Sequence, residues 1–458
     1  MEVINRTITS MLEKEYKDYS MYVCENRALP SLVDGLKTGA RKILHSAFKG
    51  SLKNGDMRKV PNLAGETMNY ALYPHGDASL HGTIVTLSQS HKFNLNPLYI
   101  DSQNGTLRTD IASSPRYLYV QLSKYAKLWK TDIELVDYIY DEGQYIEPRF
   151  FLPIIPTVLT ARQVGLAVGY KYQSMSYSPL DIIDACIKCL ESKQRENSLS
   201  GFVIHPYING IRKKTWKMED GKWINYGECS YDEKKQIINI TDLPYDMDFE
   251  SFEKMLNKMI EREEIKDWEN YSEGEDHLDY RIICKKSKIL EILKGKDINK
   301  KIIQRFKLRS VVPDDLLYVL DENKKILHFH SPHELIEYFV DFRLNKYNDR
   351  KDRLVKIINE KLQKNNELIK FIELVCKGKL KIRNRSKEDI KNDMDSYSLS
   401  MELIKTAMSK VTIEERDELL KENESIKKEL DYIKNTTINQ MYINDLKDLR
   451  KEIERDFK

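Results

Sequence analysis

The sequence contains no run of about 20 apolar residues, the length that a membrane-spanning helix requires. Its longest nearly uncharged apolar stretch, Phe150 to Ala161, is interrupted by Pro153 and Pro156, and the mean hydropathy is −0.58. The opening Met1-Glu2-Val3-Ile4-Asn5-Arg6 lacks the basic start and apolar core of a secretion signal. Cysteine is sparse: six in 458 residues, at positions 24, 186, 189, 229, 284 and 376, too scattered for a disulfide framework. These absences predict a soluble, intracellular protein. No GxxxxGK[ST] loop occurs, so ATP binding by this chain is not expected. The acidic residues form no obvious Mg²⁺ cluster, so a metal-assisted reaction on nucleic acid would need ligands from elsewhere. Charge of one sign is missing too: 75 Lys and Arg face 72 Asp and Glu, a net of +3 that says nothing about partners.

What is present is enough apolar residue, 41%, to build a core despite 32% charged residues, in a chain long enough for roughly three domains. Positive charge is concentrated locally. Between Asn26 and Gly65 stand eight Lys/Arg against Asp34 and Asp56, a net of +6. Residues 5–25 have helical spacing (Ile8, Met11, Leu12, Tyr16, Tyr19), Pro30 and Asp34-Gly35 punctuate a turn, and a basic helix follows from about Thr38 to Phe48. Helix, turn and basic helix can read DNA, though many cores are built the same way. From about 200 to 330, β-like runs (Phe202-Val203-Ile204, Gln236 to Ile240, Tyr280 to Ile283) alternate with amphipathic helices. Ser331-Pro332-His333-Glu334 has the chemistry of a helix start, and that helix can run to about Cys376, where Gly378 stops it. A second capped helix begins at Thr412, with Leu419, Ile426, Leu430 and Ile433 at heptad-compatible steps. The expected fold is therefore α+β and multidomain, with domains at 1–160, 161–330 and 331–458, the last an antiparallel coiled-coil arm.

Two short motifs could carry chemistry. In Ser114-Pro115-Arg116-Tyr117, tyrosine is a weak nucleophile at its reference pKa of about 10 and needs help. An adjacent guanidinium can stabilise both a phenolate and the phosphate oxygens it attacks. Tyr117 also reads as one of 27 tyrosines, packed beside a surface arginine. In Tyr73-Pro74-His75-Gly76-Asp77, histidine can donate to a phosphate or serve only a turn. Cys186-Ile187-Lys188-Cys189 has no second pair for zinc, and the histidines at 328, 330 and 333 straddle a strand end and a helix cap.

Taken together, the segments resemble the breakage–reunion part of type IIA DNA topoisomerases. The resemblance runs from Tyr16-Lys17-Asp18-Tyr19-Ser20-Met21-Tyr22 through Asn26-Arg27-Ala28-Leu29-Pro30-Ser31-Leu32-Val33-Asp34-Gly35-Leu36-Lys37 and Arg41-Lys42. It continues through Tyr73 to Asp77, Asp101-Ser102-Gln103-Asn104-Gly105, the Ala112 to Tyr117 run, Phe151 to Pro156 and Gly165-Leu166-Ala167-Val168-Gly169. The Arg–Tyr motif is spelled as in eukaryotic topoisomerase II, and the layout is similar to the short medium subunit of T-even-type phage topoisomerases, without a gyrase-like β-pinwheel tail.

The resemblance implies a winged-helix DNA-gate domain, an α/β tower, and a coiled-coil arm ending in a small helical dimer gate. It implies that Tyr117 joins covalently to a 5′ phosphate while Arg116 stabilises the transition state. Arg27 and His75 would contact the cleaved phosphate. Lys37, Arg41 and Lys42 would lie along the duplex, Leu166 would wedge between base pairs, and Tyr73 would replace a second family histidine. It further implies a homodimer formed through the C-gate and the DNA gate, working on double-stranded DNA with an ATPase/toprim partner. That partner would hold Mg²⁺ and bind ATP, so no metal ligand is expected here. The setting would be intracellular, the bacterial cytoplasm if the chain is phage-encoded. A catalytically silent DNA-bending scaffold of the same shape is the alternative, and a purely structural coiled-coil protein leaves the motif series unexplained. Ala78 and Gly82 stand where quinolone-sensitive bacterial enzymes carry a serine and an acid. Weak poisoning is therefore expected, and efficient ciprofloxacin-trapped cleavage would contradict it.

Overall fold

A computed structural model describes residues 7–457 apart from Lys193, Glu196, Glu275, Asp276, Lys286, Lys294, Lys296, Asp314, Asp315, Arg383, Asn384 and residues 406–410. The chain divides into two compact units. One comprises Met1–Asp341 with Leu446–Lys458, the other Phe342–Asp445.

The first unit opens with a helix of alternating α and π turns, Ile8–Met11, Leu12–Tyr16, Lys17–Val23 and Cys24–Ala28. Thr7 caps its start by accepting from Ser10 N at 3.2 Å. The periodic side chains Ile8, Met11, Leu12, Tyr16 and Tyr19 are exposed, and burial begins only at Cys24 and Ala28. Helical periodicity is thus present without the packed face it usually signals. Three helices follow: α1 (Thr38–Lys49), α2 (Val60–Tyr70) and α3 (Asp77–Ser88). They are accompanied by a small antiparallel sheet of β1 (Arg58–Lys59), β2 (Leu98–Ile100) and β3 (Tyr119–Leu122), in the order β1-β3-β2. Ile43, Leu44 and Ala47 of α1 are wholly buried, with Leu63 of α2, Leu80 and Ile84 of α3 and Val120 of β3. Two hairpins follow: β4 (Tyr138–Asp141) with β5 (Gln144–Pro148), and β6 (Val164–Leu166) with β7 (Lys171–Gln173).

The middle region begins with α4 (Pro179–Glu191), whose buried face holds Cys186 and Cys189. Desolvation raises both thiols above their usual pKa, which suits inert core residues rather than metal ligands. Two sheets follow. One is β8 (Trp216–Glu219), β9 (Lys222–Tyr226) and β14 (Arg309–Val311), and the other is β10 (Glu228–Asp232), β11 (Ile237–Asp242), β12 (Asp267–Asn270) and β13 (Tyr280–Ile283). Ile238 and Ile240 of β11 are buried together with Phe252 and Leu256 of α5 (Phe249–Glu261) and Ile302 of α6 (Ile298–Arg305). The strand expected at Phe202-Val203-Ile204 does not form. Its backbone joins no ladder, and only Ile204 of the three is buried.

After the hairpin of β15 (Leu317–Leu320) and β16 (Ile326–Phe329), the long helix α7 (Pro332–Cys376) begins with the expected reciprocal cap. Ser331 Oγ accepts from Glu334 N at 3.3 Å, and the Glu334 carboxylate accepts from His330 N at 2.9 Å. Gly378, at φ +70°, follows its end.

Within the second unit, α9 (Ile413–Asn435) runs antiparallel to α7. Lys351 Nζ donates to Lys434 O and Thr436 O, while Lys361 pairs with Glu422 at 2.7 Å. Ile358, Leu362, Ile426, Leu430 and Ile433 form the seam. Phe371, Ile372, Leu380, Leu399 and two residues of α8 (Lys387–Ser396), Ile390 and Met394, form a separate small core. The last helix, α10 (Ile438–Phe457), has its final residues in the first unit, not the arm. Arg450 pairs with Asp184 at 2.7 Å, Asp456 with Lys124 at 2.7 Å, and Leu449, Ile453 and Phe457 are buried. Among the described residues no helix is long and apolar enough to cross a membrane.

Burial in α1 has a pH consequence. His45 lies edge-on to Tyr138, and desolvation, then Lys49 and Lys42, lower its pKa from 6.5 to about 4. Between those values the unfolded chain binds a proton that the folded chain does not, so stability should fall as pH drops from 6.5 toward 4. The expected contribution is on the order of 1–3 kcal/mol. It is checked by comparing urea midpoints at pH 7 and 4.5, where His45→Gln should lose less than the wild type.

Candidate active site

A groove of about 1170 Å³ is lined by Tyr22, Arg27, Lys37, Tyr73, His75 and Arg162, among others. Its polar residues come from the end of the N-terminal helix, the start of α1, the turn before α3 and the irregular segment before the β6–β7 hairpin. Arg27 Nη2 donates to His75 Nε2 at 3.2 Å. A guanidinium only donates, so the contact is a hydrogen bond in the tautomer that leaves Nε2 as acceptor. The Tyr73 ring meets His75 edge-on at 5.3 Å, and its hydroxyl donates to Ser79 Oγ at 3.2 Å. These three expected phosphate-facing residues are therefore neighbours in space.

Tyr117 occupies a different position. Pro115 starts a single 3₁₀ turn, Pro115–Tyr117, in which Tyr117 N donates to Ser114 O. Leu118 is wholly buried and its carbonyl accepts from Val60 N, which ties the turn to α2. The Tyr117 side chain is 67% exposed, and the Arg116 guanidinium lies 6.0 Å from its ring centroid. An exposed phenol beside a permanent cation is accessible to a polyanion. Among the described residues no hydrogen bond or ion pair links Arg116 and Tyr117 to Arg27 and His75.

The basic residues of the Lys37–Lys42 segment require correction. Arg41 is buried, its Nε 2.6 Å from Asp34 Oδ2, with Nη2 donating to Asp34 Oδ1 and Leu36 O. Lys42 is buried too, bound to Glu147 at 2.8 Å and to Ala71 O at 2.6 Å. Neither cation is free for a duplex; each neutralises a carboxylate in the core. Lys37 donates to Val164 O at 2.9 Å, and burial lowers its pKa, so it secures β6 while lining the groove.

Leu166, at the end of β6, is 71% exposed. Gln163 Nε2 donates to Gly35 O at 2.9 Å, Lys37 holds Val164, and Tyr170 packs on Tyr318 with ring centroids 5.4 Å apart. Between these anchors, Gly165 approaches the N-terminal helix so closely that a Cβ would lie 2.0 Å from Ala28 O. Gly165→Ala is therefore expected to push the hairpin outward. On the wedge role that the resemblance implies for Leu166, its signature is a several-fold loss in bending of an end-labelled duplex, measured by energy transfer, with a smaller loss of affinity. Unchanged bending would show that the approach is unimportant.

His328 stacks on Tyr318 at 4.1 Å, and His333 Nε2 bonds Phe202 O at 2.7 Å. Among the described residues no group of three or more His, Cys, Asp or Glu could hold a metal ion. Sequence reasoning missed the structural weight of Asp34 and two arginines, Arg108 and Arg162. The partners of the two arginines are distant in sequence, and Asp34 adds the distant Phe151 amide to the nearby Arg41 and Leu36.

The first unit thus combines a helix triad and a small antiparallel sheet with a groove lined by several cations, an exposed Arg–Tyr turn and a hairpin that leaves Leu166 exposed. The fold is similar to that of the topoisomerase II DNA-binding, cleavage and re-ligation domain of Plasmodium falciparum, with a TM-score of 0.82 at 21% identity. The match covers 97% of this chain and 65% of that one. The sequence pattern of the DNA gyrase/topoisomerase IV A-subunit family matches residues 27–448, and the chain belongs to that family as a type IIA breakage–reunion core. It is 30% identical over 399 residues to the mitochondrial DNA topoisomerase 2 of Dictyostelium discoideum, covering 85% of this chain and 30% of that protein. It is 27% identical over 505 aligned positions to DNA topoisomerase 2 of Arabidopsis thaliana, covering 98% and 33%. The chain thus spans about a third of the length of these curated relatives.

Proposed function

We propose that this chain is the DNA breakage-and-rejoining subunit of an ATP-dependent type IIA topoisomerase. The observation that carries the reading is the exposed Tyr117 beside Arg116, on a turn whose spelling is the family's Arg–Tyr motif. In the forward step the Tyr117 oxygen bonds to the DNA phosphorus and gives up its proton, while the bond to the 3′ oxygen breaks. The 3′ oxygen leaves as a hydroxyl after taking up a proton. Rejoining reverses each move, with the phosphotyrosyl link conserving the bond between. Arg116 stabilises charge growing on the phosphoryl oxygens, and Arg27 and His75 hold the phosphate.

The α1–α3 triad and its sheet act as a winged-helix DNA gate, with Leu166 as the apolar wedge that bends the duplex. The middle region serves as the tower. The α7–α9 pair acts as a coiled-coil arm, and the small core at its end as the dimer gate of a homodimer. On the resemblance, Mg²⁺ is held by the toprim domain of a partner subunit, which also binds ATP. The setting is intracellular, in the bacterial cytoplasm for a phage-encoded subunit.

The test is a denaturant-quenched cleavage assay on supercoiled plasmid with Mg²⁺, using the chain alone and then with an ATPase/toprim partner. Protein-linked 5′ ends that require the partner are the expected result. A complete mixture that binds and bends DNA without any adduct would replace this reading with the silent scaffold.

A further inference from the structure

Residues 101–114, which lead to Tyr117, form no strand or helix of their own. Such a segment takes its position from individual contacts to its neighbours rather than from a ladder or a helix of its own. One set of anchors lies just after α3. Gln89 Nε2 donates to Asn104 O at 2.6 Å and to Asp110 Oδ1 at 3.0 Å, and Lys92 pairs with Asp110 at 2.7 Å. The other is Arg108, only 2% exposed, whose guanidinium reaches into the turn between β11 and α5. It donates to Leu243 O at 2.6 Å, Pro244 O at 2.7 Å, Met247 O at 2.9 Å and Asp242 Oδ1 at 3.1 Å. The Arg108 carbonyl in turn accepts from Phe249 N at 3.2 Å.

The same turn receives a second arginine. Arg162, two residues before β6, donates to Tyr245 O at 3.1 Å and lies over the Tyr245 ring. The turn is itself firmly held. Tyr245 N donates to Asn225 Oδ1 at 2.8 Å, its ring stacks on Trp216, and Asp246 accepts from Ser310 Oγ. A rigid turn of the middle region therefore grips the nucleophile's loop and the wedge's hairpin at once.

We propose that Arg108 is a positioning residue for Tyr117. It fixes the 103–117 loop to the 243–247 turn, and Arg162 fixes the β6–β7 hairpin to the same turn, so that the middle region sets nucleophile and wedge together. The inference rests on the DNA-breaking role proposed for Tyr117. A buried guanidinium with several fixed carbonyl acceptors holds direction as well as distance, and a lysine ammonium cannot reproduce that fork.

The test uses the full chain and two readouts. In hydrogen exchange without DNA, Arg108→Lys should speed amide exchange across 103–117 by about tenfold while α1 is unchanged. Arg162→Lys should instead loosen residues 164–173. With partner, Mg²⁺ and plasmid, Arg108→Lys should slow adduct formation by about 10²-fold, since misplacement of about 1 Å costs that much, with duplex affinity within about twofold. Asp242→Asn, which leaves the three carbonyl acceptors in place, should give a smaller loss in both readouts. Unaltered exchange across 103–117 would overturn the proposal, as would an adduct loss that merely tracks lost DNA binding or a lowered thermal midpoint. If the wild type forms no adduct but the exchange result holds, the DNA-breaking reading fails while the anchoring of the loop stands.

Discussion

Tyr117→Phe is expected to lower covalent DNA capture by about 10⁴-fold or more, to below detection, with duplex affinity within about twofold. The substitution removes one oxygen and little else. The ring is largely exposed, so no packing is lost. The turn is held by Tyr117 N to Ser114 O and by buried Leu118, neither of which involves the hydroxyl. The nearest tyrosine that could substitute is Tyr119, also exposed, with Lys59 Nζ over its ring at 5.8 Å. Tyr119→Phe should leave adduct formation intact, which separates a specific nucleophile from any reactive phenol. Arg116→Ala should fall between the two, losing about 10²–10³-fold in adduct formation, because the nucleophile remains while a donor to the phosphoryl oxygens is gone. The three variants are compared by denaturant-quenched plasmid cleavage beside a filter-binding titration. Adduct persisting in Tyr117→Phe would mean that another residue carries the chemistry.

The features legible in the sequence are those whose causes are local. The cap at Ser331 and the β-run around Ile237 to Ile240 each depend on residues a few positions apart, and each forms, whereas of the four heptad-spaced residues Ile426, Leu430 and Ile433 pack on Ile358 and Leu362 while Leu419 joins the other small core. The Arg–Tyr and Tyr–His turns are short segments, so their neighbours in space are partly their neighbours in sequence. Misreadings arise where a partner is far along the chain. A run of cations near the N-terminus suggested a DNA face, yet Lys42 finds Glu147 more than a hundred residues on. The same holds for Arg450 with Asp184, which places the end of α10 in the first unit. Arg108 sits in a polar stretch that looks like any surface loop. Its burial is decided by carbonyls that no pattern of side chains reports. The N-terminal helix shows the converse, a clear periodicity whose apolar side is left open to solvent.

Asp34→Ala is expected to be the most destabilising single substitution near the groove, at about 3–5 kcal/mol. Asp34 is wholly buried, and its carboxylate accepts from Arg41 Nε and Nη2, Leu36 N and Phe151 N. Removing it leaves a buried guanidinium with Leu36 O as its remaining hydrogen-bond acceptor, together with two amides that have lost theirs. The Asp34 carbonyl, which accepts from Trp129 Nε1 and Thr157 Oγ1, is retained, so the loss should centre on the charge. That gives a specific expectation for the double variant. Asp34→Ala with Arg41→Met should recover a substantial part of the stability, because two neutral groups replace an orphaned cation. Chemical denaturation of the four proteins measures the coupling. If the double variant is no more stable than Asp34→Ala, the cost lies in the lost amide bonds rather than in the unpaired guanidinium. The consequence should extend to the wedge. Asp34 orders the turn whose Gly35 carbonyl accepts from Gln163 and whose neighbour Lys37 holds Val164, so the folded fraction of Asp34→Ala should bend DNA less than the wild type does. Loss of stability with bending intact would uncouple the core ion pair from the hairpin that it underlies.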